Sequence, residues 1–269
     1  MSTYTDIELE ISDPVALIRL NRPEKLNALT YHTLAEIRDA IETAKDDPAV
    51  VGIIITGNGR GFCSGLDSQT LTEVTADGGK SRRDSEDPNS LKGMFSYLLE
   101  VPKPIIAAVN GACAGLGFVF ALMADLRFVD RNAKFTTAFS QRGLIAEHGA
   151  SWVLPRLIGS GRALDLLWSA RKFDGEEAAR LGLAERLCEP GQALEAAVDY
   201  LTELAANVSP TSLKVIKAQV YRHMNMSLGE SMQETNAWMD ASLKRDDFRE
   251  GVRSFIERRP PKFKRVKAD

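Results

Sequence analysis

Residues 104–124 contain no charged side chain over 21 positions, a length that would reach across a bilayer. Asn110, Gly111, Gly115 and Gly117 break the middle of the stretch, and its flanks lack the basic and aromatic clusters that anchor a membrane span. A buried strand, a glycine-rich turn and a buried helix account for the same apolarity, so no membrane partner is expected. Such a segment needs a core around it. With 269 residues, 44% hydrophobic and 26% charged, the chain can bury one without metals or disulfides. The 34 basic and 37 acidic side chains leave a net charge of −3, which argues against a nucleic-acid partner. Cys63, Cys113 and Cys188 include no C-x-x-C pair, a usage that suits a reducing compartment and offers no metal site. Residues 1–10 show no basic run followed by an apolar one, so a cytoplasmic location is expected.

The first part of the chain alternates strand and helix patterns, and the fold class expected is α/β. A β-type run at 15–20 closes on Asn21-Arg22-Pro23-Glu24. Thr30 then caps a helix carrying Leu34, Ile37, Ile41 and Ala44 at helical spacing. Residues 50–56 form a near-continuous apolar strand, the mark of burial on both faces. A further strand at 105–109 leads through the glycine turn to a helix at 119–124. Residues 68–89 are polar and glycine-containing, and are read either as a solvated insertion or as a lid. Helical periods then cover 150–158, 162–170, 192–207, 210–226, 229–243 and 247–257. This gives an α/β core over 1–190 and a helical region over 191–269. The tail gathers Arg258, Arg259, Lys262, Lys264, Arg265 and Lys267 around Phe263. It is either solvated surface or an anion site with an aromatic platform.

Two glycine-rich loops follow apolar strands: Gly61-Phe-Cys-Ser-Gly-Leu-Asp67 and Asn110-Gly-Ala-Cys-Ala-Gly-Leu-Gly-Phe118. Neither has the order of a P-loop or of a dinucleotide fingerprint. Together they can supply two backbone N–H groups aimed at one carbonyl oxygen, an oxyanion hole for an enolate. Backbone donors make no demand on the side chains of Ser64 and Leu116.

Asn21-Arg-Pro-x-x-x-Asn27-Ala28-Leu29, the Phe62-Cys-Ser-Gly-Leu-Asp67 turn and Ala108-Val-Asn-Gly111…Gly115-Leu-Gly117…Asp125 resemble the crotonase superfamily, the enoyl-CoA hydratase/isomerase group. The resemblance spans nearly the whole chain. It implies a crotonase-like spiral of ββα units followed by a helical trimerisation region, assembled as a homotrimer or a dimer of trimers. It also implies an acyl-CoA thioester substrate, with no cofactor beyond the coenzyme A of the substrate and no metal. By motif position the N–H groups of Ser64 and Leu116 would bind the thioester oxygen. Lys25, Phe263 and Lys264 would contact coenzyme A, the last two across a subunit boundary. Asp67 and Asp125 match family positions that look structural.

The hydratases of this family use two glutamates, and their positions here are Val119 and Phe139. Gly143-Leu-Ile-Ala-Glu147-His148 is similar instead to the Leu-Ile-x-Glu segment of the family's double-bond isomerases. Glu147 is therefore the expected base, with a pKa raised by burial against Leu144, Ile145 and Trp152, and His148 the expected assistant. A 3-enoyl to 2-enoyl shift needs only one such base. Hydration or C–C hydrolysis by Glu147 and His148 would use the same oxyanion hole, and a non-catalytic acyl-CoA binder is the reading from another class.

Overall fold

The computed structural model describes residues 4–76, 91 and 93–265. The chain opens with a hairpin, β1 (Ile7–Ser12) and β2 (Val15–Leu20), followed by α1 (Tyr31–Asp46). Three successive units then repeat one plan. They are β3 (Gly52–Gly57), β4 (Gly61–Cys63) and α2 (Ser68–Ala76); β5 (Ile105–Val109), β6 (Ala112–Ala114) and α3 (Leu116–Met123); and β7 (Leu126–Asp130), β8 (Lys134–Thr136) and α4 (Ala150–Ile158). The long strand of each unit joins a six-stranded sheet ordered β1-β2-β3-β5-β7-β10, parallel apart from the hairpin. The short strand joins a second sheet ordered β4-β6-β8-β9. The remaining elements are α5 (Ser160–Ser169), β9 (Phe173–Asp174), α6 (Gly175–Leu181), β10 (Arg186–Cys188), α7 (Ala193–Asn207), α8 (Pro210–His223), α9 (Leu228–Leu243) and α10 (Asp246–Glu257). This is the spiral of ββα units expected from the resemblance.

Strand periodicity sorts the apolar residues between two cores. Ala16, Ile18, Leu20, Ile53, Ile55, Ile105, Ala107 and Val109 face the main core with Ile37, Ala40 and Ile41 of α1. Their neighbours Val15, Leu17, Ile54, Ile106 and Ala108 face Ala193, Ala197 and Leu201 of α7. Because both faces are covered, β3 and β5 are buried along their whole length. In the second sheet, Cys63 and Cys113 lie side by side in register on β4 and β6, both fully buried. Burial pushes the Cys63 thiol up to about 12 and the Cys113 thiol well above its ordinary value.

Several elements differ from the sequence expectation. α3 begins at Leu116, three residues before 119, because Gly115 at φ 52° turns the chain directly into the helix. The first part of the 68–89 segment is the helix α2, held at its start by Asp67, which accepts from the Gln69 N–H (2.9 Å) and, through its carbonyl, from Leu71 (2.9 Å). Positions 77–89 lie outside the described residues, as does Lys267.

The helical arm is tied to the core by one buried cation. Lys217 of α8 donates to the carbonyls of Leu98 (3.0 Å) and Lys103 (3.1 Å) and to the Asp125 carboxylate (2.7 Å). Asp125 also accepts from Tyr221 (2.9 Å) and from the Ile105 N–H (2.7 Å). Burial lowers the Lys217 pKa while Asp125 opposes the shift. Beyond this anchor, α8 and α9 contain no buried residue, and Ile216, Met232 and Phe255 stand exposed. Lys217→Met should lower the free energy of unfolding by about 3 kcal/mol, because the half-buried Asp125 would be left without its cation. Urea unfolding measures the loss, and hydrogen exchange should show α8 loosening first.

Candidate active site

Two asparagines shape the first glycine turn. Asn27, fully buried, accepts from the Arg22 N–H (2.9 Å) and donates to the carbonyls of Asn58 (3.0 Å) and Gly61 (2.8 Å). Asn110, from the second turn, donates to the carbonyls of Gly57 (2.9 Å) and Gly59 (3.0 Å). The loop between β3 and β4 is thus held from both sides. Leu26 and Asn27 adopt left-handed backbone (φ 50° and 57°), which turns the Leu26 carbonyl to the Ser64 N–H at 3.0 Å. The Ser64 hydroxyl donates to the Lys25 carbonyl at 3.1 Å, so Lys25 and Ser64 are neighbours. Lys25 is exposed and lines a cleft of about 550 Å³ with Arg22, Thr30, Asp67, Gln69 and Glu73. The Gln69 N–H, aided by Arg22 at 3.1 Å, holds the Asp67 carboxyl below its ordinary pKa.

The second turn meets the first at Gly65. A Cβ there would lie 2.9 Å from the Ala114 carbonyl oxygen and 3.4 Å from the Leu116 nitrogen, and its φ of 100° suits glycine alone. Leu116 is the first residue of α3, where N–H groups have no acceptor within the helix. At Gly117 a Cβ would meet the Cys63 carbonyl oxygen at 2.2 Å, so only glycine lets α3 approach β4 this closely.

Glu147 is half-buried and His148 exposed in the turn that leads into α4. His148 (φ 48°) and Gly149 (φ 84°) are both left-handed, and Gly149 backs onto Met123 at the end of α3. The burial expected from Leu144 and Ile145 is not found: they are 41% and 80% exposed. The Leu144 N–H is fixed on the Phe139 carbonyl (3.0 Å), which leaves both side chains outward. Trp152 does pack at the edge of the core, with the Arg156 guanidinium 4.0 Å above its ring. Val119 and Phe139 are buried hydrocarbon, 0% and 4% exposed.

Phe263 and Lys264 are not brought to this cleft within one chain. The Phe263 ring faces Gly251 of α10, Lys264 lies 3.7 Å from Asp246, and Arg265 pairs with Asp13 (2.9 Å) at the start of β2. Lys25 follows the far end of β2, roughly 20 Å away for a six-residue strand. The tail is held by Glu250, which accepts from Arg259 (2.6 Å) and from the Lys262 N–H (2.7 Å). Among the described residues, no His, Cys, Asp or Glu cluster is placed to hold a metal, and no helix is long and apolar enough to cross a membrane.

A family model described as enoyl-CoA hydratase/isomerase matches residues 10–266. The chain belongs to the enoyl-CoA hydratase/isomerase family. It is 31% identical to the crotonyl-CoA hydratase of Syntrophomonas wolfei, over 97% of this chain and 98% of that one. It is also 31% identical to the 1,2-epoxyphenylacetyl-CoA isomerase of Escherichia coli, over 93% and 94%. The crystal structure of an enoyl-CoA hydratase from Mycobacterium tuberculosis superposes with a TM-score of 0.86 at 28% identity, covering 97% of this chain and 99% of that one.

Gly117→Ala should lower the unfolding free energy by about 1–3 kcal/mol, since α3 must retreat from the Cys63 carbonyl; denaturant titration measures it. The tail has a pH limit. Arg259 and the Lys262 N–H hold Glu250 down to about 2. A carboxyl with a depressed folded pKa supports the fold above its ordinary pKa of about 4.5 and loses that support as pH falls toward 2. Protection of the Lys262 amide from hydrogen exchange should therefore persist at neutral pH and fade across that acid range.

Proposed function

We propose that this enzyme shifts a double bond in an acyl-CoA thioester, converting a 3-enoyl-CoA to a 2-enoyl-CoA. The observation that carries the reading is the acid inventory. Glu147 is the only carboxylate between 139 and 152, while the two positions that hold glutamates in the hydratases are Val119 and Phe139, both buried. Glu147 takes a proton from C2, the electrons pass into the thioester carbonyl to give a dienolate, and the Glu147 carboxylic acid returns the proton at C4. A single base thus completes the cycle with no cofactor besides the coenzyme A of the substrate. The negative oxygen is held by the Leu116 and Ser64 N–H groups, the latter shared with or taken from the Leu26 carbonyl. His148, next to Glu147, lines the same turn.

Coenzyme A lies along the cleft beside Lys25. Phe263 and Lys264 reach it from a second copy, in the homotrimer or dimer of trimers that the resemblance implies. The exposed faces of α8–α10 supply the contact, with Phe255 at 84% exposure. The three free, buried cysteines fit work in the cytoplasm.

The test is mass-resolved turnover in D2O with 3-enoyl- and 2-enoyl-CoA thioesters. The native chain should convert the 3-enoyl compound without adding water, and Glu147→Gln should cut kcat by about 10²–10⁴-fold. Unchanged turnover in Glu147→Gln would sink the single-base reading. Water addition to the 2-enoyl compound would put the chain with the hydratases, and binding without turnover would make it a binder.

A further inference from the structure

Four rings form a continuous ladder through the site. Phe62 of β4, two residues before Ser64, lies 6.2 Å from Phe120. Phe120 is one helical turn beyond Leu116 in α3 and stacks on Phe95 at 4.9 Å and 30°. Phe95 meets the ring of His148 edge-on at 6.5 Å and 75°, and His148 follows Glu147. These separations fall in the range of attractive aromatic pairs. The ladder begins beside one oxyanion donor, passes beside the other, and ends at the residue after the carboxylate. Phe62, Phe95 and Phe120 are each at most 1% exposed.

Phe95 belongs to none of the three loops it connects. Its own segment is clamped by α1. The Arg38 guanidinium lies 4.0 Å over the Tyr97 ring and donates to the Gly93 carbonyl at 3.2 Å. His148, by contrast, sits in a left-handed backbone that a non-glycine residue keeps only when its surroundings hold it.

We infer that Phe95 is a positioning residue for the proton transfer: through the His148 ring it fixes the Glu147 turn relative to the Ser64 and Leu116 amides. The inference rests on the reading of Glu147 as the base. Phe95 is 1% exposed and meets the Glu147 turn through the His148 ring, so the loss of its ring should be read in kcat and not in KM. Proton transfer to a held enolate is sensitive to such displacements.

Phe95→Leu keeps an apolar side chain and removes the ring. It should lower kcat for the 3-enoyl thioester about tenfold or more while KM stays within about twofold. The same change made in Glu147→Gln should alter the residual kcat by less than about twofold, because residues acting through one group are not additive. Paired with His148→Ala, it should cost no more than the larger single change. Should Phe95→Leu fail to fold, Arg38→Gln loosens the same segment from the surface and should reduce kcat about threefold, again without effect in Glu147→Gln. An unchanged kcat in the folded variant, or an equal loss with and without Glu147, overturns the inference. A silent Glu147→Gln would instead bring down the base assignment, and this inference with it.

Discussion

The bend from β3 to β4 presents the backbone carbonyls of Gly57, Asn58, Gly59 and Gly61, and two asparagine side chains take them. Asn27 binds the carbonyls of Asn58 and Gly61, and Asn110 those of Gly57 and Gly59. A buried amide is tolerated only when its hydrogen bonds are made, and Asn27 makes three. These bonds fix the left-handed Leu26–Asn27 corner, which orients the Leu26 carbonyl on Ser64 and sets Lys25 beside it. The pairing of β4 with β6 and the Leu29 N–H on the Gly65 carbonyl (2.7 Å) complete the placement, with Gly65 against Leu116.

The repeated ββα unit is what makes the two turns converge. In each of the first two units the short strand runs in the small sheet and the turn follows it, Ser64 after β4 and Leu116 after β6. Parallel pairing of β4 with β6 then brings successive bends side by side. α7 covers the opposite face of the large sheet, where no site residue lies.

Much of this was legible in the residues, and the exceptions have physical causes. Strands β2, β3 and β5 show as apolar runs because five or six residues are enough for a pattern. The two- and three-residue strands β4, β6, β8, β9 and β10 are too short for any period. The turns of Ser64 and Leu116 were visible through their glycines, yet the Leu26 carbonyl on Ser64 depends on a left-handed corner at non-glycine residues. Leu144 and Ile145 look like core and lie outside, since their loop is set by a backbone bond to Phe139. Phe95 gave no signal, because its partners Phe120 and His148 are 25 and 53 positions away in the chain. The tail and Lys25 occupy opposite ends of β2 within a single chain, which agrees with the expectation that Phe263 and Lys264 act across a subunit boundary.

The buried thiols of Cys63 and Cys113 have a practical consequence. With Cys63 raised to about 12 and Cys113 well above its ordinary value, almost no thiolate exists in the native state at neutral pH. A thiol reagent therefore finds these sulfurs only when the core around β4 and β6 opens. Since β4 and β6 lead into the Ser64 and Leu116 turns, the rate of labelling becomes a clock for how often these two turns come apart.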